Sequence, residues 1–396
     1  MNIYVTDGNN RAALAIVRSL GRKGHCVYVG DKQFGSLAGA SKYCHANMVY
    51  PDPVQDGDEF VNVLINQVKA LEIDVIIPVA DITTFLILNN SEKFIQHCQL
   101  PFADYETVSL AADKAYIIKL AQELGIPVPK TIVVQNHQQL ESLSIDFPYP
   151  VVIKPGRSRV KKDNQWHFTS VSYAADDAEL RAKLQNTDAS DFPILLQERV
   201  YGPGVGVFTC YDRGKLIAKF SHRRLREKPP SGGVSVLRES IPVDPDAGRY
   251  SELLLDKLGW HGVAMVEFKL DERDNTPKLM EINGRFWGSL QLAIDAGVDF
   301  PALLIQTLEQ KPVTPVVDYK LGVRTRWLCG DLDVLLMLLF KKRQSLKLAP
   351  DYPGRLVSLL RFLAFWGKNL RYEILSVKDP KPFITEIRQW LRSNKQ

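Results

Sequence analysis

Cysteine is scarce and scattered. Cys26, Cys44, Cys98, Cys210 and Cys329 form no CxxC pair, so neither a disulfide framework nor a thiolate zinc site is expected, and a reducing, cytoplasmic setting is the natural reading. No apolar run approaches the roughly 18–20 residues that span a bilayer. The opening MNIYVTDGNNRAALAIVRSLG goes straight into a strand and then a helix, without the basic, apolar and small-residue regions of a secretion signal. The first turn, DGNNRA, lacks the GxGxxG glycines that let a pyrophosphate approach. That argues against NAD, although Asp31 follows the second strand as a ribose-binding acid would. No Ser–His–Asp or Cys–His set stands out. There is no internal repeat or low-complexity tract, and no nucleic-acid module accompanies the basic residues.

What is present is an ordinary globular composition, 45% hydrophobic and 24% charged, over 396 residues. That length suggests two or three domains. The net charge of +5 is uneven: from Arg324 onward fifteen Lys/Arg stand against six Asp/Glu, leaving the rest slightly acidic. A basic tail is either a solvated face or a contact for something anionic.

Residues 1–105 alternate strands (NIYVTDG, HCVYVGD, DVIIPVA) with amphipathic helices, the first closed by Gly24. That rhythm predicts a small parallel α/β sheet. Residues 106–320 read as α+β, with a hairpin turning at DRGK and another joining GVAMVEFKL to PKLMEIN. Residues 321–396 read as a mainly helical, basic extension. In it Leu356, Leu359, Leu360, Leu363 and Leu370 share one helical face, widened by Phe362, Phe365 and Trp366. Docking on the core is the favoured expectation for these helices, with contact to an anionic membrane surface as the alternative.

The second hairpin carries the chemistry. Antiparallel pairing with Leu270 opposite Lys278 sets Glu267 opposite Glu281, where like charges call for a shared proton or a cation. Asn283 projects from the same face. Two carboxylates and an amide oxygen make half a site for Mg²⁺ (or Mn²⁺) with a nucleotide phosphate, and Arg285 follows beside them for an anion. Lys114 at a helix start and Lys154 at the end of VVIKP are phosphate partners. Gln197 and Glu198, at the end of LLQERV, can read an adenine edge.

In this order, "DK" (Asp113–Lys114), VVIKP, QERV, RRLREKPPSGGVSV and VEF…LMEINGRFWGS resemble the ATP-grasp superfamily over residues 1–320. The chain is most similar to the stand-alone carboxylate–amine ligases related to the carbamoyl-phosphate synthase large subunit. The resemblance implies a pre-ATP-grasp α/β domain, an ATP-grasp domain of two α+β subdomains and the helical C-terminal extension. It implies ATP on Lys114 and Lys154, adenine facing Glu198 with the Val200 backbone at the hinge, and metal on Glu267, Glu281 and Asn283. Arg285 would stabilise the phosphoryl group in flight. The segment SHRRLREKPPSGG would lie over the phosphates, with Arg226 and Arg224 as its anion contacts and His222 and Arg223 behind them. The implied partners are a small-molecule carboxylate and an amine, with a homodimer as an option.

The pattern departs from the family in two places. GRSRVKKDNQW has one glycine where relatives have a glycine-dense phosphate loop, so Arg157, Ser158 or Arg159 would substitute. YGPGVGV also lacks the usual ribose-binding acid. No general base for the amine is identifiable; His222 is a candidate, with a hydrogen-bonded structural histidine as the alternative. The acceptor is expected between the first domain and the grasp, near Ser41, Lys42, Asp81 and Thr83, each of which reads first as a loop cap. Rival activities are phosphoryl transfer or carboxyphosphate chemistry on the same scaffold, and non-catalytic ATP binding.

Overall fold

The computed structural model describes the chain apart from residues 142, 158, 163, 164, 189, 190, 310–312, 344, 347, 349–351 and 394–396. The first unit is the expected parallel sheet, ordered Cys44–Val49, Cys26–Asp31, Asn2–Val5, Val75–Ile77. Alternation sorts its side chains. Ile3, Val5, Val27 and Val29 join the core that buries helix Arg11–Arg22, while Tyr4 and Ile76 pack with Phe60 and Leu64 on the opposite face. Asn10 caps that helix by accepting from Ala12 N–H, and Gly24 (φ +87°) leaves it in the left-handed region.

Two further sheets follow, antiparallel except for the last strand pair of the larger one. Four strands, Thr131–Val134, Ile194–Glu198, Val151–Pro155 and Ser172–Ala174, bury Val151, Ile153, Ile194 and Leu196 against Leu180 and Leu184 of helix Asp177–Gln185. Seven strands make the larger sheet: Pro277–Asn283, Gly262–Leu270, Gly204–Asp212, Lys215–Lys228, Val234–Ile241, Arg324–Arg326 and Leu370–Tyr372. The DRGK hairpin is present, with Arg213 and Gly214 at positive φ (45° and 81°) between paired Asp212 and Lys215. A separate two-stranded ribbon pairs Arg159–Lys162 with Gln165–Phe168.

The tail differs from the expected helical extension. Helix Arg355–Leu363 ends early, and Leu370 lies in a strand running parallel to Arg324–Arg326 rather than on the helical face of Leu356, Leu359, Leu360 and Leu363. Arg324–Arg326 and Leu370–Tyr372 therefore complete the larger sheet, and edge pairing outcompetes helix continuation past Gly367. Helix Leu328–Phe340 packs Val334 and Leu338 on Val236, as the docking expectation had it. No helix among the described residues is long and apolar enough to cross a membrane.

Candidate active site

Glu267 and Glu281 are register partners in the hairpin, followed by Val266 with Ile282 and Met265 with Asn283. The anchor of the predicted register is corrected: Leu270 faces Pro277 and Lys269 faces Lys278. The loop is one residue tighter than expected, and a bulge between Glu267 and Phe268 takes up Met280, restoring the carboxylate pair. Their charges are met by protein cations. Arg224 Nη2 donates to Glu267 Oε2 (3.0 Å), and Lys114 Nζ lies 3.5 Å from Glu281 Oε2. Asn283 Nδ2 donates to Glu281 Oε1 (3.1 Å), which turns the Asn283 carbonyl towards Arg285 Nη2 (3.5 Å).

The two carboxyls are driven apart. Burial and the facing Glu281 raise Glu267 against the pull of Arg224. Burial also opposes ionisation of Glu281, but Lys114, the Asn283 hydrogen bond and Lys154 outweigh it and hold Glu281 below the ordinary range. Oxygen donors on two rigid strands, with one carboxyl strained by its neighbour, fit a hard divalent cation. Among the described residues no group of three or more His, Cys, Asp or Glu gathers, so the remaining ligands of such an ion would be water and phosphate oxygens.

The lysines converge on the same point. Lys114 opens helix Lys114–Glu123, whose cap Asp113 accepts from Ala115 and Tyr116 N–H, and its own N–H donates to Gly156 O (2.9 Å). Lys154 ends its strand paired with Leu195. Burial pulls its ammonium down to about 8, against the attraction of Glu281. Arg157 lies 3.6 Å from Asp113 Oδ2. Ser158 and the side chain of Arg159 lie outside the described residues.

Arg285 makes a two-pronged contact with Asp81, Nε to Oδ1 and Nη2 to Oδ2, so a helix start of the first unit is clamped to the hairpin. That moves Asp81 from loop cap to site. Thr83 instead donates to Asp7 Oδ2 (2.6 Å), and Ser41 Oγ and Lys42 N–H both donate to Asp379, which makes these three structural.

Three expected contacts are corrected. Arg226 does not join the carboxylates. Register shifts on either side of it turn the strand, and its Nη2 donates to Asp331 (2.8 Å), which also accepts from Arg326 Nε (2.6 Å). Arg223 is bound to Glu239 together with Arg324. The Glu198 carboxylate is committed to Lys130 N–H (3.0 Å) and Arg273 (3.2 Å), so it is not directed at a base edge. Gln197 Nε2 donates to Thr131 Oγ1 (2.9 Å), and the buried Val200 has its carbonyl held by Lys269 Nζ (3.2 Å).

Glu281, Asn283 and Arg285 stand between two cavities. One, walled by Phe85, Tyr105 and Trp166, contains Lys114 and Arg157. The other, about 380 Å³, contains Glu267, Arg224 and His222, together with Arg11, Arg238, Trp287 and Ser289. Sequence reading missed those last four; the only signal was a buried-strand arginine in SVLRESI. His222 stacks on Phe208 (4.7 Å between ring centres), and its Nε2 meets Ser289 Oγ at 2.8 Å. Burial, then Arg238 and Arg224, push its pKa down, so it is a neutral imidazole.

Residues 190–330 match the family described as "ATP-grasp in the biosynthetic pathway with Ter operon". The matched stretch runs from strand Ile194–Glu198 to strand Arg324–Arg326 and so includes Glu267, Glu281, Asn283 and Arg285. Among curated proteins the chain is similar to the D-aspartate ligase of Enterococcus faecium, 22% identical over half of each chain. It is also similar to the alpha-aminoadipate–LysW ligase LysX of Sulfurisphaera tokodaii, 26% identical over 52% of this chain and 68% of that one. The chain thus spans about half the length of the first of these relatives. Its fold superposes on the crystal structure of L-amino acid ligase from Bacillus licheniformis with a TM-score of 0.61, at 16% identity over 80% of this chain and 77% of the other.

Proposed function

We propose that this chain is an ATP-dependent ligase that activates a carboxylate and joins it to an amine. The observation that carries the reading is the facing pair Glu267 and Glu281, with Asn283 at the end of the same strand and Arg285 two residues past it. Glu267, Glu281 and Asn283 would hold Mg²⁺ or Mn²⁺, which neutralises phosphate charge when bound. Lys114 and Lys154 hold the phosphates, and the backbone from Gln197 to Val200 takes the adenine in place of the Glu198 side chain. A carboxylate oxygen attacks the γ-phosphorus, the bond to ADP breaks, and an acyl phosphate forms. The amine nitrogen then attacks the acyl carbon, loses a proton and expels orthophosphate, leaving an amide.

Such phosphoryl transfer needs placement and charge rather than a nucleophilic side chain. Arg285 is fixed by Asp81, and Arg224 is released from Glu267 once that carboxylate has a cation; these two supply the charge. Arg226 has no part in it. The named ligases among the relatives support the reading. Its test is a screen of acids paired with amines for release of ADP and orthophosphate. Release should require both partners; release with an acid or bicarbonate alone would point to phosphoryl transfer or carboxyphosphate chemistry instead.

The same reading includes peripheral lipid contact through the tail. Leu356, Leu360, Leu363 and Trp366 are 69%, 60%, 51% and 90% exposed, and helix Arg355–Leu363 buries no residue. Lys341, Lys342, Arg343, Arg355, Arg361 and Lys368 lie nearby in the chain. Co-sedimentation with phosphatidylglycerol-containing vesicles, weakened by Leu360→Asp and absent with pure phosphatidylcholine, is the expected result.

A further inference from the structure

A third cavity, of about 440 Å³, lies between strand Lys215–Lys228 and the tail helices Leu328–Phe340 and Arg355–Leu363. It shares no lining residue with the two cavities at Glu281, and its volume is that of a small-molecule pocket. Apart from Leu225 and Arg226, its walls come from beyond residue 330, where the family match ends. Leu225, Val334, Leu335, Leu338 and Phe362 make one side apolar.

The other side is cationic. Among the described residues Asp331 is the one acid on the wall, and its carboxylate already accepts from Arg226 Nη2 (2.8 Å) and Arg326 Nε (2.6 Å). Arg361 also lines the cavity, and it has no hydrogen-bond or ion-pair partner among the described residues. Burial raises the Tyr352 phenol while Arg226 and Arg361 pull it down, so the hydroxyl and both guanidinium groups stand at the same end. Three arginines around one carboxylate leave positive charge to be met by an anion.

Helix Arg355–Leu363 roofs the cavity. Ser358, Arg361 and Phe362, at i, i+3 and i+4, face inward. Leu356, Leu360 and Leu363 face solvent, and Arg355 Nε ties the helix to the Leu338 carbonyl (3.2 Å). The helix thus presents an apolar outer face to a surface and a guanidinium to the pocket beneath it.

We propose that this cavity binds a single-chain anionic amphiphile of fatty-acid type, drawn from a membrane. Its head sits on Arg361, Tyr352 and Arg226, and its acyl chain runs along Leu335, Leu338 and Phe362. An inorganic anion would have no use for the apolar wall, and a neutral chain none for the unpaired guanidinium. The site is independent of the ligase reading. It rests on the lipid-contact part of that reading for the source of the ligand, but not for its binding.

The test is calorimetric titration of the full chain with acetate, inorganic phosphate, hexanoate, octanoate, decanoate and octan-1-ol. Affinity should rise about fourfold per added methylene from hexanoate to decanoate. Acetate and phosphate should bind at least about a hundredfold more weakly than decanoate, and octanoate should exceed octan-1-ol by about tenfold. Arg361→Gln changes an exposed helix position. It should cut decanoate affinity about tenfold and leave octan-1-ol nearly unchanged, with part of the loss recovered in Arg361→Lys. Ser358→Phe fills the cavity and should abolish binding at every chain length. Leu360→Asp, on the outer face, should leave decanoate binding intact while it weakens vesicle co-sedimentation, so the two readings fail separately. Absence of decanoate binding, affinity flat with chain length, octan-1-ol equal to octanoate, or full decanoate affinity in Arg361→Gln overturns the proposal. So does loss of decanoate binding in Arg285→Gln alone, which would seat the acid at the open site. Failure of every acid and amine pair to release ADP would sink the ligase reading and leave this pocket standing.

Discussion

Two charge clusters lie two residues apart on the strand Lys215–Lys228, and they have different jobs. At Arg226 the cluster is closed: Arg226 and Arg326 meet Asp331, and Arg326 also donates to the Phe362 carbonyl (2.7 Å), tying the tail to the sheet. At Arg224 it is open. Each carboxylate of the hairpin is met by a cation from another element, Arg224 for Glu267 and Lys114 for Glu281, and both cations border a cavity. A buried ion pair is costly to form and more costly to halve. Where every member has a fixed partner it locks elements together; where like charges face each other, the ligase reading puts an ion between them. The difference comes from the shifted register around Arg226, which sends neighbouring arginines to opposite sides of the sheet.

Substitutions can set the two clusters apart. Glu281→Gln keeps the shape and removes one charge from the proposed metal pair. Steady-state ADP release should fall by roughly 10³-fold, with a melting temperature near wild type. A comparable loss of stability would move the hairpin into the structural class. Asp331→Asn should do the reverse, because two buried guanidinium groups lose their carboxylate. About 3–5 kcal/mol of stability should disappear in denaturant titration, while Mg·ADP affinity of the folded protein stays near wild type.

Asp295 gives a smaller effect within the buried network. It accepts from Gln291 and Thr325, and burial raises its carboxyl to about 6. A carboxyl raised on folding favours the folded state at low pH, and that contribution is lost as pH rises through about 6. Wild type should therefore lose about 1–3 kcal/mol relative to Asp295→Asn between pH 4 and pH 7.5, read from unfolding midpoints at each pH. The smallest effect belongs to the open cluster. With Lys154 near 8, the phosphate contact proposed for it would weaken as pH rises. ADP affinity should drop up to about tenfold from pH 7 to pH 9.5, and Lys154→Arg should flatten that dependence.

The parallel sheet and the facing glutamates were legible because both rest on periodicity. Continuous apolar runs gave the strands, and acids at alternate positions in an apolar hairpin gave the pair. The bulge at Met280 was not legible; the pairing survived because the tighter loop and the extra residue offset each other. The same kind of irregularity worked against Arg226, which simple alternation places beside Arg224. Contacts between distant segments were also hidden. Nothing in VADITT says that Asp81 will clamp Arg285, and nothing in GASKYCH points to Asp379. The tail was read from helical spacing alone, which cannot show that Leu370 will find a sheet edge at Arg324.

Calorimetric titration of ADP with and without Mg²⁺, in wild type and Glu281→Gln, bears most directly on the open cluster. Mg²⁺ should tighten ADP binding to wild type by at least about tenfold and leave the variant almost unchanged. The same metal-dependent gain in both proteins, or none in wild type, would contradict the assignment of that hairpin to a nucleotide-bound cation.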